Sequence, residues 1–365
     1  MIKKNNIKVV DSMNEFFKLS ENWNRLLFES SSNTIFLTWE WLYSWSECFL
    51  NENRKLFILA VYENDELIGI APWYINHIKI GPFKIKQIEF LGSPEAGSDY
   101  LDVISKKRKE KEVALNIYEY LHNEGNGRWH FLKLNDMPAN SFFLLHFLCK
   151  VEEDGKYIEV KEGSFCPILF IEEGKDSELF SNISSPRRKK KLKYEMNILK
   201  KLGDIKYKVF FEENIERALN DYMSFYEEKS EYSIEPLKKH LLKFLCMANA
   251  KKWMQIDFLT LDGKNIAAFL HFRYGGRLYL YLIVVDKTIN PKISIGNIMI
   301  GLCTENAYKN QIFFYDFLKG AENYKFFWAN SGQRSLNIFF CKRELIPILI
   351  SWGKLIKYGL KLFLR

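Results

Sequence analysis

The sequence lacks most of the constellations by which enzymes announce themselves. It has no H-E-x-x-H, no G-x-S-x-G, no Walker A and no G-x-G-x-x-G, so metal-hydrolase, serine-hydrolase, P-loop and dinucleotide-binding readings are without their physical parts. Histidine is scarce, at six residues, so acids and bases other than imidazole must carry most proton chemistry. The six cysteines are scattered with no C-x-x-C pair, which fits buried thiols in a reducing compartment better than a disulfide framework or a zinc finger; no metal is expected. No stretch supplies about 18 uninterrupted apolar residues, and "MIKKNNIKVVDSMNEFF" has no apolar core of a signal peptide. These absences describe a cytoplasmic protein.

What is present is apolar and aromatic residue in quantity, 47% and 16% of 365 residues, enough for more than one hydrophobic core. The net charge of +8 sits in two places, residues 187–193 and 342–365, around a near-neutral body.

The order of patterns repeats. "LFILAVYENDELIGIAPWYI" (56–75) reads as a hairpin turning at Asn64-Asp65, and "MQIDFLTLDGKNIAAFLHFRYGGRLYLYLIVVD" (254–286) as strands turning at Asp262-Gly263 and Gly275-Gly276. After the first hairpin come a strand at "YLDVI", a helix near 107–123, a strand at "WHFLKL" and a helix near 138–150. After the second come a helix near 296–309, a strand at "IFFYDFL" and a helix near 321–329. Two copies of one α/β unit with mixed sheets are expected, at residues 1–175 and 176–341. "SSPRRKKKLKYE" opens a helix of about 17 residues, capped by Ser184 or Ser185, begun by Pro186 and ended by Gly203, with Leu192, Met196 and Leu199 facing inward. Its first two turns carry six cations, which oppose the helix dipole and would welcome an anion; a solvated basic face is the alternative. The tail, 342–365, patterns as a basic amphipathic helix suited to docking on its own protein or to lying on anionic lipid.

In "QIFFYDFLKGAENYKFFW" (311–328), a strand that passes through Asp316 and Gly320 into a helix puts its acid at the carboxyl edge of a sheet, where open α/β sheets bind ligands. Asp316 reads equally as a helix cap or as the partner of Lys325.

Together with "FLTWEWLYSWSECF", "FLGSPEAGSDYLDVI", "SPRRKKKLKYE" and "AAFLHFRYGGRLYLYLIVVD", this stretch resembles the CelD-like branch of the GNAT acyltransferase superfamily. In plan it is similar to the tandem-GNAT FemABX aminoacyltransferases. The resemblance runs from about residue 36 to 340 and implies two GNAT-like domains, acceptor side first and donor side second. It also implies an acyl donor such as acetyl-CoA and an amino group as acceptor. Where GNAT enzymes carry Q/R-x-x-G-x-G/A, this chain has "KISIGNIMI". Ser294 there can cap a helix whose N–H groups at Gly296, Asn297 and Ile298 would face a pyrophosphate, and an ordinary capped helix is the alternative.

Acyl transfer to an amine needs a base, and the candidates are Asp99, Asp316 and His271, the last also readable as an ordinary strand residue. Asp99 ranks first, expected at the start of a strand on the first domain's sheet edge, within a cleft it shares with the Asp316 loop; a turn Asp is the alternative. Tyr324 is placed by the thioester carbonyl or leaving thiolate. Lys325, Arg187 and Arg188 are placed on phosphates, and Glu40 and Trp41 in the acceptor pocket, although a helix packed by its tryptophans accounts for them as well. The implied activity is N-acylation of an amino sugar, nucleotide-linked or otherwise, for a surface polysaccharide. Aminoacyl transfer from tRNA is the second reading, and noncatalytic nucleic-acid binding the third.

Overall fold

The computed structural model describes residues 6–80, 83–172, 180, 183, 185–230, 235–248 and 251–341. The expected tail helix (342–365) and most residues around the expected division at 175/176 lie outside them. In chain order the first half gives β1 (Asn6–Val10), α1 (Met13–Lys18), α2 (Ser20–Phe28), α3 (Trp39–Phe49), β2 (Arg54–Glu63), β3 (Glu66–Ile80), β4 (Phe83–Phe90), β5 (Ile104–Ser105), α4 (Glu110–His122), β6 (Phe131–Pro138), α5 (Phe142–Glu153) and β7 (Ile158–Phe170). The second half gives α6 (Pro186–Leu202), β8 (Ile205–Phe210), α7 (Ile215–Lys229), α8 (Glu235–Ala248), β9 (Met254–Leu261), β10 (Lys264–Tyr274), β11 (Arg277–Val285), α9 (Ile295–Lys309), β12 (Phe314–Asp316), α10 (Asn323–Trp328) and β13 (Ser331–Cys341).

Two compact units result. One comprises residues up to Gly163 and again from Ser335; the other runs from Ser164 to Arg334. In the first the strand order is β1-β2-β3-β4-β6-β13, and in the second β8-β9-β10-β11-β12-β7. The orders match position for position, with one exchange: the last strand of each unit is supplied by the other half of the sequence. β13 pairs with β6 (Ile338↔Leu134, Cys341↔Phe131), and β7 pairs with β12 (Phe314↔Phe170, Asp316↔Ile168).

The turns follow from local chemistry. Asn64, Asp65, Asp262, Gly263, Gly275 and Gly276 all have positive φ, so each of the three hairpins turns on two left-handed residues, the geometry that matches strand twist. α6 has the expected 17 residues, with Ser185 at its N-cap position, Pro186 first and Gly203 after it, and it buries Leu192, Met196 and Leu199. Among the described residues no helix is long and apolar enough to cross a membrane.

The units differ in their early helices and again around β5. In the second, β11 stays on β10 from Arg277 to Val285 with a single bulge at Leu270/His271. In the first, the chain leaves β3 after Phe90, which pairs with Trp73, and returns only at Ile104, which pairs with Ile70. The expected strand at "YLDVI" shrinks accordingly to Ile104–Ser105. The cause is local: the Asp102 carboxylate takes the Val103 N–H at 2.8 Å, and Tyr100 turns to φ 57, so neither can join a ladder.

Candidate active site

In the second unit, β11 and β12 pair in parallel over three positions only, Arg277↔Phe314 to Tyr279↔Asp316. β12 stops at Asp316 while β11 continues to Val285, and α9 starts ten residues later. Beside the end of β11 there is a cavity of about 440 Å³, lined by Phe269, Ile283 and Val285 from the sheet and by Ser294, Gly296 and Asn297 from the start of α9, with Tyr324 and Lys287 also on it. Helix geometry leaves the first N–H groups of α9 without intrahelical acceptors. A Cβ added at Gly296 would find only Val285 Cγ2, at 3.6 Å, so the cavity is open beside that backbone.

The expected anion-binding residues border this cavity, with bonding that differs from the expectation. The Ser294 side chain makes no capping bond. Its backbone N–H donates to Glu195 Oε2 at 3.1 Å, and Glu195, buried on α6, faces Lys191 at 3.6 Å. Ile298 drops out of the donor set, because its N–H is spent on the Ser294 carbonyl at 3.0 Å and its side chain is wholly in the core. Ser294, Gly296 and Asn297 line the cavity, and the Asn297 side-chain carbonyl accepts from the Trp328 indole at 2.9 Å. These groups and the exposed Lys287 ammonium fit a phosphate-bearing acyl carrier, whose arm would lie on the apolar wall. Lys287 was missed in the sequence, although its place directly after β11 is the signal that marks it. Burial holds the Tyr324 hydroxyl well above its ordinary pKa, so it remains a proton donor at neutral pH.

Asp286 borders this cavity and a second of about 600 Å³ that collects Asp221, Glu228, Lys229 and Asp262. Burial pushes the Asp286 carboxyl up, but its Lys229 partner at 2.8 Å and Thr288 more than offset this and hold it below the ordinary range.

The other expected residues are built into the fold. Asp316 is fully buried, accepts the Leu318 N–H at 2.9 Å and faces Arg277 at 3.7 Å, so its ionic partner is not Lys325. Lys325 is itself buried, its ammonium inside the 318–322 turn, where it donates to the Leu318 carbonyl at 3.3 Å and meets Glu322 at 3.1 Å. It offers phosphate no exposed charge. Gly320 makes room for it: a Cβ there would stand 2.7 Å from Nζ, at a φ of 132. His271 has no exposure and lies between Asp257 and the Tyr315 hydroxyl, so it is no free base. Arg187 and Arg188 are exposed at the start of α6, Arg188 lying 4.8 Å from the Phe327 ring.

In the first unit Asp99 lies in the excursion between β4 and β5, nearly enclosed at 1% exposure, and so begins no strand. Below it Trp41, with no exposed surface, donates its indole N–H to the Ser98 hydroxyl at 2.8 Å, which rules out a sugar on its ring. Glu40 is held by the Asn24 amide at 2.9 and 3.0 Å. Asp102, unmarked in the sequence, accepts from Ser141 at 2.8 Å, and burial raises its carboxyl to about 7. The counterpart of α9 here is α4, whose first turn carries Glu110 and Glu112, a start that repels anions.

Residues 186–326 match the family described as acetyltransferase (GNAT) domain, so an acyltransferase domain of the GNAT superfamily lies in the second unit. The chain's fold is that of FemX, with 10% identity and a TM-score of 0.59 over 94% of this chain and 99% of that one. It is similar also to L-PGS from Bacillus licheniformis (10%, TM-score 0.51, 92% and 95%) and to a conserved protein of unknown function from Bacteroides thetaiotaomicron (10%, TM-score 0.51, 92% and 100%). No curated protein matches the sequence. The fold is thus two GNAT-like domains on the FemABX plan, and the protein is an enzyme.

Proposed function

We propose that the protein is an acyl-CoA-dependent N-acyltransferase, with acetyl-CoA the simplest donor, acting in the cytoplasm on the amino group of a sugar or nucleotide-linked sugar for a cell-envelope polymer. The observation that carries the donor assignment is the cavity at the start of α9, where Ser294, Gly296, Asn297 and Lys287 suit a pyrophosphate and Phe269, Ile283 and Val285 suit its arm. The acidic start of α4 supports confining the donor to the second unit. The amino-sugar acceptor rests on the CelD-like resemblance.

In this reading Tyr324 donates its proton to the thiolate as the C–S bond breaks, and the amine forms the new C–N bond after giving a proton to a base. The chain's contribution is otherwise to bind, orient and exclude water, and the transfer draws on no metal.

The FemABX-type alternative, aminoacyl transfer from tRNA, is favoured by one feature: α6 starts with no acidic residue and no side-chain cap, and its cations Arg187, Arg188, Lys190 and Lys191 are exposed. The experiment is a thermal shift with CoA and acetyl-CoA beside an RNase treatment of the active preparation. A concentration-dependent rise in Tm with RNase-resistant activity supports the CoA donor. No shift, with activity abolished by RNase, transfers the assignment to tRNA.

A further inference from the structure

Three residues remote in sequence meet in the core of the second unit: Asp257 on β9, His271 on β10 and Cys303 on α9. All three are fully buried. A carboxylate oxygen, an imidazole nitrogen and the thiol sulfur lie within 4.8 Å of one another.

The far sides of two of them are already secured. The Tyr315 hydroxyl holds His271 Nε2 at 2.8 Å, and the Tyr207 hydroxyl donates to Asp257 Oδ1 at 2.6 Å with Gln255 adding its amide at 3.2 Å. Such outer hydrogen bonds are what fixes the ring and carboxylate of a metal ligand. The near sides face one another. His271 Nδ1 stands 2.8 Å from Asp257 Oδ2, an ion-pair contact that is not aligned as a hydrogen bond. A carboxylate, an imidazole and a thiol gathered in an apolar core are costly to bury, and one cation held by all three would offset that cost.

We propose that Asp257, His271 and Cys303 form a binding site for a transition-metal ion of the zinc class. The mixed O, N and S set selects such an ion over magnesium or calcium. Bond lengths of about 2.0 to 2.3 Å put ligand atoms on one tetrahedral ion about 3.3 to 3.8 Å apart, so on binding the 2.8 Å contact between His271 and Asp257 opens by about 0.5 Å or more and the separations of up to 4.8 Å close by about 1 Å. The thiol proton leaves to solvent on binding. Tyr207 and Tyr315, whose hydroxyls both reach Cys303, border the remaining coordination position. The ion is structural. It ties α9 to β9 and β10 one helical turn from Ile300 and two residues from Phe269, both of which wall the donor cavity.

The test uses the full chain and needs no substrate. The purified protein is analysed for metal by mass spectrometry, then stripped with a chelator, reloaded with Co²⁺ alone and read for a thiolate-to-cobalt charge-transfer band. The expected result is about one equivalent of metal, a Tm lowered by stripping, and a band absent from Cys303→Ala, with Co²⁺ affinity down about tenfold or more in His271→Gln. If those variants do not fold, the band and the Tm loss in the unaltered protein stand as the criterion. Protein that carries no metal and shows no charge-transfer band with Co²⁺ overturns the site, as does equal metal content in both folded variants.

Discussion

The ammonium of Lys325 donates to the carbonyl of Leu318 at 3.3 Å, from inside a turn that only Gly320 can close over it. A lysine that the family resemblance would assign to substrate is thereby spent on the protein's own backbone. Lys325→Ala is expected to leave the Leu318 and Lys319 carbonyls unsatisfied and to lower stability by about 1 to 3 kcal/mol. Urea unfolding measures this. A variant that unfolds like the parent but loses activity would return Lys325 to the site.

The contrast between this turn and the hairpins shows what a sequence displays. Asn64-Asp65 and Gly275-Gly276 declare their turns because the left-handed backbone is a property of the residues themselves. Ser185, Pro186 and Gly203 likewise bound α6 by local chemistry. The inward turn of Lys325 depends on Leu318 and Gly320 adopting positive φ together, which alternation of apolar residues does not encode. The exchange of β7 and β13 between units is a choice of pairing partner, and each strand reads the same whichever neighbour it takes. The cavity's start at α9 was legible from Ser294 and Gly296; its apolar wall was not, because Phe269, Ile283 and Val285 look like any core strand.

Asp102 makes stability depend on pH. Its carboxyl is raised from 3.8 to about 7 by burial, so the folded state binds a proton that the unfolded state has lost between those values. Its contribution is complete below about pH 4 and is lost as pH rises through 7, with a slope of at most about 1.4 kcal/mol per unit. Asp102→Asn keeps an acceptor for Ser141 and Val103 but cannot titrate. Between pH 5 and 8 the parent is expected to lose on the order of 2 kcal/mol relative to this variant. Parallel curves for the two proteins across that range would remove the assignment.

Asp99→Asn tests the proposed base. The substitution preserves size in the enclosed excursion between β4 and β5, so folding should survive it. Amine-dependent release of free thiol from acetyl-CoA should fall about 10²-fold or more, with the CoA-induced rise in Tm unchanged. Retention of the parental rate in a folded variant would place the base elsewhere.

The donor cavity itself separates space from chemistry. At Gly296 a methyl group meets Val285 Cγ2 at 3.6 Å, ordinary contact, so Gly296→Ala should leave the CoA shift in place. Gly296→Phe projects a ring into a cavity of about 440 Å³ and should abolish that shift without greatly altering the Tm of the free protein. Tyr324→Phe keeps the ring on the border and deletes only the hydroxyl that burial holds protonated. It should therefore bind CoA as the parent does and turn over about 10²-fold more slowly, because the leaving thiolate loses its proton donor. Measured together, the three variants divide binding from catalysis: a full CoA shift in Gly296→Phe would move the donor to another surface, and full turnover in Tyr324→Phe would leave the thiolate to be protonated by water.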